Sequence, residues 1–185
     1  MRKTARELEN PIDNILIDIA ESNNSYYKSL HFTPNVLTTF SLMFGILAAY
    51  LFYKDYQVPA AIVFIISYYF DCADGSFARK YNMETKLGEI YDHVSDISKV
   101  LLIVVVMYIK NKEKFMQVLP IFLILIAFSL VNIGCQQKLQ KHAEGPIIDS
   151  SKYLCVGDPE TVIPISRYAG TGTLVILLAI MIVTW

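Results

Sequence analysis

Cysteine is scarce in this chain of 185 residues: Cys72, Cys135 and Cys155 are all it has. Three scattered cysteines are too few for a disulfide framework or a zinc site. Two of them sit in or beside apolar segments and read as small buried hydrophobes. Charge of one sign is lacking as well. The net charge of −1 offers no basic excess for a nucleic-acid partner. The first 30 residues lack an apolar core followed by a small-residue cleavage site, so no signal peptide is expected. The chain has no internal repeat and no low-complexity tract.

What it has is apolar residues in long blocks. They make up 54% of the chain, and its mean hydropathy is +0.42, above the usual level for a soluble domain. A membrane-spanning helix needs about 20 mostly apolar residues. Five segments approach that length, at 36–53, 58–79, 88–109, 115–136 and 162–185. The expected fold is therefore an all-α polytopic membrane helical bundle of five spans, or six if a short one hides within 138–165. Pro120 either kinks the fourth segment or lies in its first turn. In the fifth, Gly170-Thr171-Gly172-Thr173 lets another helix approach closely, or simply marks a loop-to-helix junction. A polar loop is expected over 138–160, holding Gly145-Pro146 and Asp158-Pro159.

Ahead of the first span, Ile12, Ile15, Leu16 and Ile19 fall on one helical face. Pro11 suits a first turn and Asn10 an N-cap. Asp13, Asn14 and Asp18 occupy the opposite face. This pattern predicts an amphipathic helix lying in the membrane interface. Residues 1–32 are thus read as an interfacial helix with its lead-in segment, and 33–185 as the transmembrane domain.

Basic residues set the orientation. With the amino terminus inside, eleven Lys and Arg lie inside (Arg2, Lys3, Arg6, Lys28, Arg79, Lys80, Lys86, Lys138, Lys141, Lys152, Arg167). Four lie outside (Lys54, Lys110, Lys112, Lys114), and Lys99 falls within a span. The inside excess favours that topology and puts the facing ends of the second and third spans at the cytoplasmic side.

Those ends carry Asp71, Asp74, Asp92 and Asp96. Asp71 and Asp74 share one helical face, and so do Asp92 and Asp96. The short polar turn near 80–86 would fold the two helices into a hairpin and bring the pairs together. Carboxylates at close range must protonate or take up cations. Oxygen donors select hard ions such as Mg²⁺, Mn²⁺ or Ca²⁺. Two such ions would clamp phosphate oxygens. Gly75 and Gly88 clear space on opposite walls, Ala78 is small, and Arg79 carries a fixed charge suited to phosphate.

The spacing D-x2-D-G-x2-A-R-x8-G-x3-D-x3-D is met at Asp71, Asp74, Gly75, Ala78, Arg79, Gly88, Asp92 and Asp96. A chance match is on the order of 10⁻¹⁰ per starting position. The pattern resembles the signature of the CDP-alcohol phosphotransferase (phosphatidyltransferase) family. "TPNVLT" at 33–38 resembles the Pro-Asn lead-in of many members.

The resemblance implies an integral membrane, multi-pass enzyme of phospholipid biosynthesis with its site at the cytoplasmic face. A second alcohol's hydroxyl attacks the phosphorus of a CDP-linked alcohol, CMP leaves and a phosphodiester forms. It implies two divalent ions, Mg²⁺ or Mn²⁺, on Asp71, Asp74 and Asp92, with Asp96 as ligand and candidate base. Gly75, Ala78, Arg79 and Gly88 would shape the nucleotide site, and Asn35 would touch the cytidine. Homodimers are frequent in the family.

Within the family, "LGEIYDHVSD" is similar to the choline and ethanolamine phosphotransferase branch, whose acceptor is diacylglycerol. His93 is then a rival base to Asp96, unless it faces headgroups or another helix. That branch is longer than this chain. The other branches pair CDP-diacylglycerol with polar alcohols. A phosphorylated acceptor would call on Arg167, Lys138 or Lys99, although Arg167 also suits an interfacial anchor. The competing classes are a divalent-cation channel or transporter and an inactive membrane scaffold. A cation path leaves Gly75, Ala78, Gly88 and the repelling Arg79 unexplained, and the intact aspartates argue against a scaffold.

Overall fold

The computed structural model describes residues 4–139 and 151–185. Arg2, Lys3, Lys141 and the Gly145-Pro146 turn lie outside the described residues. Among the described residues the chain is helical and has no strand. The helices are α1 (Pro11–Ser29), α2 (Pro34–Tyr53), α3 (Gln57–Tyr81), α4 (Lys86–Lys110), α5 (Lys112–Leu139), α6 (Pro159–Ser166) and α7 (Thr171–Thr184). Short 3₁₀ turns occupy Lys152–Leu154 and Arg167–Ala169.

Local chemistry sets the boundaries. Pro11 and Pro34 open α1 and α2 in the first turn, where a missing N–H is harmless. The Asn10 side chain accepts from the Ile12 and Asp13 N–H groups, so it is the expected N-cap. Asn82 ends α3 at φ 53°, a left-handed conformation that asparagine tolerates. Thr85 then caps α4 by accepting from the Gly88 N–H. These two caps make the tight turn that sends α4 back along α2. Asp158 caps α6. Pro120 lies well inside α5, not in its first turn.

Among the described residues, four helices are long and apolar enough to cross a membrane: Pro34–Tyr53, Gln57–Tyr81, Lys112–Leu139 and Pro159–Thr184. The last is interrupted by the 3₁₀ turn and Gly170. The remaining expected segment is a 25-residue helix, α4. Its first half carries Lys86, Glu89, Asp92, Asp96 and Lys99, which removes it from that group.

Helices α2 and α3 pack most extensively, and α4 lies against α2. Ala48 and Ala49 on α2 and Ala60 and Ala61 on α3 join one core with Phe52, Phe64, Ile103, Met107, Leu178 and Ile182. Small residues let the helices approach. Ser41 and Ser67 lock the α2–α3 seam by donating to each other's carbonyls, at 2.9 and 2.7 Å. Ile121, Leu123, Ile124 and Phe128 on α5 are exposed, as a lipid-facing surface requires.

Two expectations need correction. Asp13, expected on the polar face of α1, is instead buried against the bundle with Ile17, Ala20, Asn24 and Tyr27, while Ile15 and Ile19 are exposed. Polar partners on the bundle decide this: Tyr68 donates to Asp13 Oδ1 at 2.7 Å, and Asn24 donates to Ser76 at 3.0 Å. The glycine run makes room for that contact. A Cβ at Gly172 would overlap Asp13 Oδ1. The second correction concerns cysteine. Cys135 and Cys155 form a disulfide, and only Cys72 is free. The 3₁₀ turn packs against the end of α5 and brings together two residues 20 apart in sequence. Gly134 permits this, because a Cβ there would collide with the Ser151 carbonyl.

Candidate metal centre

Three helices build the site. Asp71 and Asp74 come from the second half of α3, Asp92 and Asp96 from the first half of α4, and α2 forms the third wall. Carboxylate oxygens of Asp71, Asp92 and Asp96 all lie within 4.8 Å of one another. That is the juxtaposition the hairpin reading expects for these residues. Asp74 is not in this group. It is 4% exposed, and its Oδ2 accepts from Thr38 on α2 at 2.5 Å. It remains close enough to feel the charges of Asp92 and Asp71.

The residues present suit a hard divalent ion. The donors are all oxygen, and Asp92 Oδ1 is buried with no hydrogen-bond partner. A buried carboxylate oxygen left in that state is costly unless a cation meets it. Mg²⁺ and Mn²⁺ accept such a donor set.

The flanking residues fall as follows. Gly75 lies under Arg79, whose guanidinium nitrogens would stand 3.2 Å from a Cβ at that position. Gly88 faces Asn35, whose Oδ1 would be 3.0 Å from a Cβ there. The two residues share a wall at the start of α2 and α4. Ala78 is partly buried, one helical turn beyond Gly75. His93 Nδ1 is 3.7 Å from Asp92 Oδ2, with the His93 side chain 40% exposed. Asp96 is similarly open, at 41%. Arg167 lies elsewhere. It donates to the Glu7 carbonyl and to the Tyr168 hydroxyl, tying the segment before α1 to the turn before α7.

Sequence reasoning missed Thr38, Ser41 and the placement of Lys99. Lys99 Nζ donates to Asp71 Oδ1 at 2.8 Å and Ser41 Oγ at 2.5 Å, and pairs with Asp96 Oδ1 at 2.7 Å. A lone cation inside a span is the signal that could have found it.

The sequence profile described as CDP-alcohol phosphatidyltransferase matches residues 31–185. Among curated proteins, 88 residues are 32% identical to a cardiolipin synthase (CMP-forming)/mitochondrial hydrolase fusion protein of Schizosaccharomyces pombe, covering 44% of this chain and 15% of that one. A second stretch of 68 residues is 35% identical to an archaetidylinositol phosphate synthase of Pyrococcus horikoshii, covering 37% of this chain and 36% of that one. The matched part is therefore well under half of either relative. No solved structure matches.

Proposed function

The chain belongs to the CDP-alcohol phosphatidyltransferase family, and from that premise we propose that it transfers a substituted phosphate group from a CDP-linked alcohol to the hydroxyl of a second alcohol, releasing CMP, in phospholipid biosynthesis. The observation that carries this reading is the convergence of Asp71, Asp92 and Asp96 oxygens, with Arg79 against Gly75 and Asn35 against Gly88 on the three helices that build the site. One relative's name makes CMP its product, which agrees with the proposed leaving group.

In this reading Asp71, Asp74, Asp92 and Asp96 hold the divalent ions, two Mg²⁺ or Mn²⁺. Bound there, the ions neutralise diphosphate charge and stabilise departing CMP. Arg79 binds a phosphate oxygen through its fixed charge. Gly75 and Gly88 leave room for the nucleotide, and Asn35 touches the cytidine from the Gly88 wall. Asp96 accepts the proton of the attacking hydroxyl, and the neighbouring His93 is its rival. Thr38 fixes the Asp74 carboxyl by donating to one of its oxygens.

In this reading the site lies at the cytoplasmic edge of an integral membrane bundle, which the excess of Lys and Arg on that side supports. There a soluble nucleotide and a lipid alcohol can meet at one phosphorus. The exposed Ile15 and Ile19 face of α1 lies in the interface, and α4 crosses as a fifth span with its charged half turned to the site. Lys99 opposes a cation-conducting path, since it puts positive charge among the carboxylates.

The test is CMP release by the purified protein with Mg²⁺ or Mn²⁺. CDP-diacylglycerol is offered with a panel of polar alcohols, and CDP-choline or CDP-ethanolamine with diacylglycerol. The expected result is metal-dependent release from one pairing. Folded protein that releases CMP from none of them would overturn the proposal.

A further inference from the structure

Lys99 stands inside the carboxylate group although the family pattern does not include it. Its side chain is 6% exposed. An ammonium has three N–H donors, and here they meet oxygens from three helices: Ser41 on α2, Asp71 on α3 and Asp96 on α4. The stem is seated too. A Cβ at Gly45 on α2 would overlap Lys99 Cγ and stand 2.8 Å from Cδ. A serine for the head and a glycine for the stem make this a built seat for one lysine.

Two of the three clustered carboxylates are engaged by that ammonium. A divalent ion using the same oxygens would meet a like charge within a few ångströms. We propose that Lys99 is a tethered cation that holds Asp71 and Asp96 together in the metal-free site and gives up at least one of them when a divalent ion binds. Lys99 is thus a positioning residue that sets the affinity for the ion. The proposal rests on the metal-binding reading above. Its physical content is competition: the same carboxylates serve a weak internal cation or a strong external one, and the bundle folds without waiting for metal.

The experiment is Mn²⁺ binding to the full chain in detergent, followed by electron paramagnetic resonance with no nucleotide present. Lys99→Met keeps the stem against Gly45 and removes the charge. Gly45→Ala evicts the stem and leaves the carboxylates untouched. Lys99→Met is expected to bind Mn²⁺ at least tenfold more tightly than the natural chain, and Gly45→Ala is expected to shift the same way by less. Unchanged or weaker binding in Lys99→Met, with the natural chain binding Mn²⁺, overturns the Lys99 proposal alone. No Mn²⁺ binding by any of the three overturns the metal reading and this inference with it. Unfolding temperature in EDTA and in Mn²⁺ covers the case of poor folding. Lys99→Met should lose stability in EDTA and gain more from Mn²⁺ than the natural chain does. A variant unfolded under both conditions would mean that Lys99 is only a structural ion-pair partner, and would overturn competition.

Discussion

Asp13 ties the stability of the bundle to pH. It lies on α1, outside the spanning helices, and is 8% exposed. Burial pushes its carboxyl up from the ordinary 3.8 to about 7. The Tyr68 hydroxyl and the Gly172 N–H act the other way, and the charges of Glu9 and Asp71 add to the rise. The folded carboxyl keeps its proton to about pH 7, whereas an unfolded one loses it near 3.8. Between those values the folded state holds more protons, so stability is greatest below about pH 4 and falls as pH rises to about 7. The span between the two values corresponds to about 4 kcal/mol. Asp13→Asn keeps an oxygen for Tyr68 and removes the titration. The assay is unfolding of both proteins in detergent with EDTA from pH 4.5 to 8. The difference between them cancels the titration of the other carboxylates. The variant should gain about 3 kcal/mol on the natural chain across that pH range, or on the order of 10 °C in Tm. Parallel pH profiles, or a natural chain that gains on the variant, would refute the burial argument.

Three further outcomes are expected. Asp96→Asn should abolish CMP release while the protein stays folded by Tm, and near-normal turnover would remove its assigned role. His93→Ala with turnover lost but Mn²⁺ and nucleotide still bound would make His93 the base; unchanged kinetics would place it outside the chemistry. Reduction of the Cys135–Cys155 disulfide, which closes a loop of 20 residues, should cost about 3 kcal/mol, read as a drop in Tm that Cys135→Ser reproduces and reductant does not deepen.

Much of this was legible where the signal was local. Asn10 and Pro11 announced the start of α1, and the aspartate spacing announced a hairpin with its carboxylates facing. Failures came where a partner distant in sequence decides the outcome. Periodicity put Asp13 on the polar face of α1, opposite isoleucines read as lying in the membrane interface. Yet Asp13 and Asn24 turn inward, because Tyr68 and Ser76 on α3 can satisfy them. The disulfide was invisible because nothing in the spacing of three cysteines says that a 3₁₀ turn returns to the end of α5. The glycine run was readable as a close approach, but not that the approaching helix would be α1. Composition alone does not separate α4 from the four more apolar helices, because its charges gather in one half. It is a helix of the expected length whose charged half belongs to the site.

The carboxylates raise a question that the family pattern alone does not answer: how an apolar bundle tolerates them before a metal arrives. This chain supplies groups that ease the burden without removing it. Asp74 has Thr38 and Asp71 and Asp96 share Lys99, whereas Asp92 has His93 only at 3.7 Å and keeps one buried oxygen unpaired. Thr38 and Lys99 lie outside the pattern. The pattern therefore names the groups that can meet the ions and the phosphate, whereas the residues that offset the carboxylates from within the bundle come from α2 and from one turn further along α4. Such partners must be weaker than a divalent ion, or the site would never fill. A neutral hydroxyl, a half-exposed imidazole and a single ammonium on a flexible stem all meet that requirement. A guanidinium in the Lys99 seat would not, because its planar fork could hold a carboxylate through two parallel bonds.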